Sequence, residues 1–391
     1  MTFRRLKNGV FALEALNGLA TSLYFNYLFF YLREHYGLGS QGNLLFGAAN
    51  GFIYMFAAFF CGRFAQKHGY FVSLRIGFAI VIAAVFGASL ANTVGIQFLL
   101  MALWTIGICF TWPVLEALTS EHESSETLPG KIGCYNIVWS AAQAAAYFSG
   151  GAIVEALGWK SIFYLPVALH AIQFGLTHYL AKARDIGRLR SAPVEAREVQ
   201  HEADAEVNQR FLRMAWLANP FAYIAMNTVI PLIPDLAARL HLSPKFAGFF
   251  CSIWMFARVV SFAAFWKWTG WHYRFRWLLT AYLLLIVSFS CMLLLTNLWA
   301  LVSVQIALGW ATGLIYYSSL FYSMDASDTK GAHGGIHEAA IGAGIFGGPA
   351  IGFTAVYLMP AVANVSVFAV SGALLLGLGG LLCLASNRTE S

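Results

Sequence analysis

Five ionisable side chains lie inside long apolar runs of this chain: Glu14, Glu116, Arg258, His337 and Glu338. A charge in such a run is costly and turns inward, to a partner or to a wet cavity, so these residues are the first candidates for chemistry. The chemistry they suit is proton transfer and charge switching. Glu14, Glu116 and Glu338 are acids able to take up and release a proton. Arg258 is a cation that can pair with Glu338, with His337 beside it, and be released when that acid is protonated or an anion arrives. His337 lies about 100° round the helix from Glu338, so the two cannot both face one site. His333 and His337 have the spacing of metal ligands, but no third ligand is near, and neither a metal nor another cofactor is expected.

Polar and aromatic residues extend the candidate set. Asn17 shares a helix face with Glu14, as do Gly18 and Thr21, which makes a polar stripe suited to a cavity wall. Trp112 and Pro113 precede Glu116, and the proline frees a carbonyl in the turn before it. Tyr24, Trp112, Tyr316 and Tyr317 offer rings with polar tips for stacking on an organic solute or a cation, and Asn136 and Asn227 add amide donors. His170 and Gln173 read as packing groups. Paired with Arg258, Glu338 leaves no free cation for a multiply charged anion, so a neutral or monocationic solute is expected.

The elements that must hold these residues are membrane helices. Twelve apolar runs alternate with short polar breaks, and runs such as Phe98–Leu115 and Phe275–Leu295 approach the roughly 20 residues that cross a hydrocarbon core. With 59% hydrophobic and 11% charged residues the composition is that of a polytopic, all-α membrane protein embedded in a lipid bilayer. Arg4, Arg5, Lys7, Arg63, Lys67, Arg75, Lys131 and the basic residues of 182–213 fall on one side, whereas Arg33, Lys160, Arg239 and Lys245 fall on the other. By the positive-inside rule both termini are cytoplasmic. The net charge of +6 is thereby topology, and no nucleic-acid partner is expected. The first run is too long and too polar for a cleaved signal, which makes it the first membrane helix. Cys61, Cys109, Cys134, Cys251, Cys291 and Cys383 are scattered singly and read as packing residues.

The hydrophilic stretch around Lys182–Gln209 divides the spans six and six, giving an N-terminal bundle over 1–181, a linker over 182–209 and a C-terminal bundle over 210–391. Phe64, Gly69 and Arg75 recur at constant offset as Phe265, Gly270 and Arg276, and Trp104 to Gly107 recurs as Trp310 to Gly313. These matches favour a duplicated six-helix unit.

Gly62-Arg63-Phe64-Ala65-Gln66-Lys67-His68-Gly69 resembles the loop motif of the major facilitator superfamily of secondary transporters: Gly62, Lys67 and Gly69 fit, and Gln66 replaces the motif's Asp. Gly158-Trp159-Lys160-Ser161-Ile162-Phe163 resembles a second recurrent segment of that family. The resemblance implies two six-helix bundles about a central cavity, with alternating access by rocking of the halves. The function expected is secondary transport of a small organic solute coupled to protons in the inner membrane of a bacterium, by a protein acting as a monomer. Efflux antiport is favoured over uptake symport of a sugar or organic acid. No phosphate-cradling Gly-x-x-x-x-Gly-Lys-Ser loop occurs, and the one loop with enzyme-like residues, Glu121-His122-Glu123-Ser124-Ser125-Glu126, lacks a domain to bind a donor, so an enzyme is not expected.

Overall fold

The computed structural model describes residues 3–121, 123, 127–187, 202–325 and 330–386, and every regular element among them is a helix. In chain order these are α1 (Phe3–Tyr36), α2 (Ser40–His68), α3 (Tyr70–Leu90), α4 (Val94–Cys109), α5 (Trp112–Ser120), α6 (Leu128–Leu157) and α7 (Ser161–Gly187). There follow α8 (Glu202–Arg239), α9 (Pro244–Cys251), α10 (Ile253–Lys267), α11 (Phe275–Leu294), α12 (Leu298–Asp325), α13 (Lys330–Leu358) and α14 (Val365–Ser386). Ten spans are long and apolar enough to cross a membrane, with α4–α5 forming one of them, Val94–Ser120, and α9–α10 another, Pro244–Lys267. Helices α1 and α7, 34 and 27 residues long, complete the twelve expected; charges at the start and end of α1 lower its apolarity. His333, His337 and most of the linker lie outside the residues whose side chains are described.

Local chemistry sets the breaks. Pro113 stands in the first turn of α5 and has no N–H to offer the carbonyl one turn back, so the span bends between α4 and α5. The Thr111 hydroxyl caps the opening by donating to the Ile108 carbonyl at 2.9 Å. Between α2 and α3 the chain turns at Gly69, whose φ of +98° is a conformation that side chains other than glycine's resist. Gly62 and Lys67 lie in the last turns of α2, just before it.

Helix α1 packs on α6 and α7, and α3 on α4 and α7; in the second half of the chain α8 packs on α12, α13 and α14, and α10 on α12. Two long seams join the halves, α2 against α13 and α6 against α9 and α10. Both depend on missing side chains: a Cβ at Gly51 would strike the Phe346 backbone, and one at Gly151 the Pro244 carbonyl. Such small-residue contacts are how helices pack closely in lipid.

We term the face where α1 begins and α14 ends the terminal face, and its opposite the far face. At the far face Arg33 of α1 pairs with Asp235 of α8, and Ser40 of α2 donates to the same carboxylate. Glu155, at the end of α6, accepts from the Ser243 hydroxyl at 2.7 Å and from the Lys245 backbone N–H at 3.0 Å. These contacts clasp the two halves. At the terminal face Lys7 ties α1 to the end of α5, donating to the carbonyls of Leu118, Thr119 and Glu121 at 2.9, 2.7 and 2.7 Å. Around the perimeter Phe60, Leu99, Tyr179, Trp299 and Leu376 leave more than half their surface exposed, as suits contact with lipid.

Candidate solute cavity

Nine helices, α1, α2, α4, α5, α6, α8, α10, α12 and α13, converge on a central void between the halves. Its volume is about 150 Å³. That scale fits one small molecule.

The acids gather on one part of its wall. Glu14 and Glu338 line the void, and Glu116 lies behind them on α5. Glu338 accepts from the Tyr54 hydroxyl at 2.6 Å. The Glu116 and Glu338 carboxyls lie within reach of each other. Glu14 is fully buried and interacts electrostatically with both of the other acids. Neither of its oxygens closes a hydrogen bond of good geometry, and the Trp112 indole faces it more loosely. Three acids from three spans thus form a cluster that low-dielectric surroundings bind into one electrostatic unit.

Arg258 stands apart from that cluster. The expected pairing with Glu338 is corrected by the structure: Glu338 is engaged by Tyr54 and Glu116, while Arg258 donates to Gln143 Oε1 at 3.4 Å and to Met226 Sδ at 3.3 Å. The physical reason is register, since Arg258 on α10 faces α6 across the second seam, whereas Glu338 on α13 faces α2 across the first. His337 lies among residues whose side chains are not described, and its part in a switch finds no test here.

The expected solute contacts divide in the same way. Trp112, Asn227 and Tyr316 line the void, and Asn227 donates to the Tyr223 carbonyl at 3.0 Å. Tyr24, Asn17, Asn136 and Tyr317 do not. Tyr24 is fully buried against Trp104 and Phe163, with ring centroids 5.0 and 6.0 Å away, and its neighbour Phe25 takes the wall position instead. Asn17 bonds Thr111 at 3.4 Å and so braces α1 against the α4–α5 bend. Asn136 accepts from the Trp139 indole at 3.2 Å, and Tyr317 packs on Phe262 and Trp271. His170 and Gln173 bond each other at 2.7 Å as packing groups should.

Several wall residues were not singled out from the sequence: Tyr54, Tyr135, Trp139 and Trp254. A signal existed for some of them. Trp139 and Gln143 are one turn apart on α6, and Trp254 and Arg258 one turn apart on α10, so each pair shares a helix face.

A family profile described as Major Facilitator Superfamily matches residues 10–218, more than half of the chain. The chain belongs to the major facilitator superfamily. It is thus a membrane transporter, and its relatives are not enzymes. Among solved structures it is similar to the human organic anion transporter MFSD10 (TETRAN), with 15% identity and a TM-score of 0.69, over 97% of this chain and 100% of that one. It is similar also to the nucleoside transporter NupG, with 14% identity and a TM-score of 0.69, over 97% of this chain and 99% of that one. At these identities the likeness concerns the fold. No curated protein matches the sequence.

Proposed function

We propose that the chain is a proton-coupled secondary transporter of a small organic solute, working by alternating access. The observation that carries this reading is the acid cluster. Glu14, Glu116 and Glu338 interact with one another beside the void, and a charge on one raises the cost of a charge on the next. A group of this kind takes up and gives back protons as its surroundings change, which is what coupling to a proton gradient requires. The far-face clasp of Arg33, Ser40 and Asp235 supports closure of the void on that side, with the terminal face as the side of access. By the distribution of basic residues the terminal face is cytoplasmic, in a bacterial inner membrane.

The test is reconstitution into liposomes with an imposed pH gradient and a panel of solutes, comparing wild type with Glu14→Gln. The amide keeps shape and hydrogen bonding but carries no exchangeable charge. Gradient-driven accumulation should vanish while solute exchange without a gradient persists; accumulation at the wild-type level would reject the coupling role.

Efflux antiport is the direction favoured by the aromatic content and by an acid in α1. Uptake symport is the second reading, and one observation favours it: Arg258 faces the void with no carboxylate partner among the described residues.

A further inference from the structure

Arg258 is the only basic side chain among the residues described as lining the void. It is 5% exposed, and its guanidinium carbon lies 4.8 Å over the Trp139 ring and 5.2 Å over the Trp254 ring. Its bonds are weak ones, to an amide oxygen at 3.4 Å and to a thioether at 3.3 Å, and its buried Nε has no partner. A guanidinium carries five N–H donors in a planar fork. The guanidinium carbon stands over two indole rings and its N–H groups make only the two weak bonds above, so donors remain for an oxyanion, which a guanidinium receives through charge-assisted hydrogen bonds. A desolvated cation held by neutral groups is expensive unless a negative charge completes it. No acid of this chain does so among the described residues, since Glu338 is taken up by Tyr54 and Glu116.

Resting on the reading of the void as the solute's path, we propose that Arg258, beside Trp139 and Trp254, binds the anionic group of the solute, and that the solute is a small organic monocarboxylate with an apolar body. This replaces the neutral or monocationic solute expected from the sequence, whose premise was an Arg258–Glu338 pair. A single charge is favoured over two because one arginine shares the wall with two acids, Glu14 and Glu338, which would repel a phosphate monoester or a dicarboxylate. Phe25, Trp104, Ile341 and Ile345 supply the apolar wall for the rest of the molecule. Tyr223 and Tyr316 line the same void.

The test uses the purified protein in nanodiscs of zwitterionic lipid, with thermal stability read against a panel of small monocarboxylates, each with the amide and the amine of the same skeleton. Carboxylates should stabilise the protein and their amides and amines should not. For the best carboxylate, Arg258→Gln should weaken affinity by about tenfold or more, the scale of a charge-assisted pair. Arg258→Lys should recover part of it. A second arm adds phosphatidylglycerol, to ask whether the site takes a lipid headgroup instead. The proposal is overturned if no carboxylate stabilises the protein, if amides or amines do so equally, if a properly folded Arg258→Gln variant binds as wild type does, or if only the anionic lipid acts. Carboxylate binding through Arg258 without proton-driven accumulation would instead reject the proton coupling and leave the anion site standing.

Discussion

Tyr54 on α2 donates its hydroxyl to Glu338 on α13 at 2.6 Å, so an acid of the C-terminal half is held by a side chain of the N-terminal half. The bond crosses the seam between α2 and α13, where Gly51 lies against the Phe346 backbone. Its partner Glu338 is also the acid that meets Glu116, so Tyr54 links the seam to the acid cluster. Tyr54→Phe removes this one bond and keeps the ring. The loss expected is about 1.5 to 3 kcal/mol, the worth of a hydrogen bond to a charged group. Gradient-driven transport should fall at least severalfold, with folded protein obtained in normal yield. An unchanged transport rate would remove the bond from the coupling scheme.

Lys7 should act on stability. Its ammonium is 3% exposed, closes three carbonyls at the end of α5, and pairs with Glu123 at 3.3 Å. Lys7→Met strands those carbonyls and Glu123 together, at a cost of about 1 to 3 kcal/mol for each buried group left unsatisfied. The thermal midpoint in detergent should drop clearly. A midpoint equal to that of wild type would mean that water serves the end of α5 equally well.

Rings predicted to touch solute separate into two groups. Tyr316→Ala should weaken binding by about 0.5 to 1.5 kcal/mol, as expected for loss of a stacking ring. Tyr24→Phe and Tyr317→Phe should leave affinity unchanged, because both residues pack away from the void. Titration calorimetry on the three variants decides this, and an affinity loss in Tyr24→Phe comparable with that in Tyr316→Ala would contradict the assignment of the wall.

Gly62 gives a conformational prediction. A Cβ there meets nothing within 4 Å, so Gly62→Ala has no steric penalty in this arrangement, in contrast to Gly51→Ala, which would run into backbone. Gly62→Ala should therefore fold normally and Gly51→Ala should not. If Gly62→Ala nevertheless transports poorly, the glycine serves the arrangement in which the terminal face closes. Normal transport would leave the motif position without a role in this chain.

Legibility was uneven for a physical reason. The spans, the inward acids and Arg258 stood out because length and charge inside apolar runs are strong signals. Helix rotation did not stand out. In water a polar face marks the outside of a helix, but in lipid both the exterior and the packed interior are apolar, and the pattern that would orient a span fades. Tyr24 and Phe25, like Tyr316 and Tyr317, are neighbours about 100° apart, and that one rotation separates wall from packing. In each pair one residue lines the void and the other does not. The Arg258–Glu338 expectation failed similarly, because comparable depth in the membrane says nothing about which seam a residue faces.

The far-face clasp has one more consequence. Arg33 and Asp235 retain 39% and 25% of their side-chain exposure, so their attraction acts partly through the surrounding water. Dissolved ions weaken such a pair far more than they weaken the dry glycine seams below it. The salinity of the medium on that side is thereby an input to the protein. Brine loosens the clasp and fresh water tightens it, so turnover should follow the ionic strength on that side.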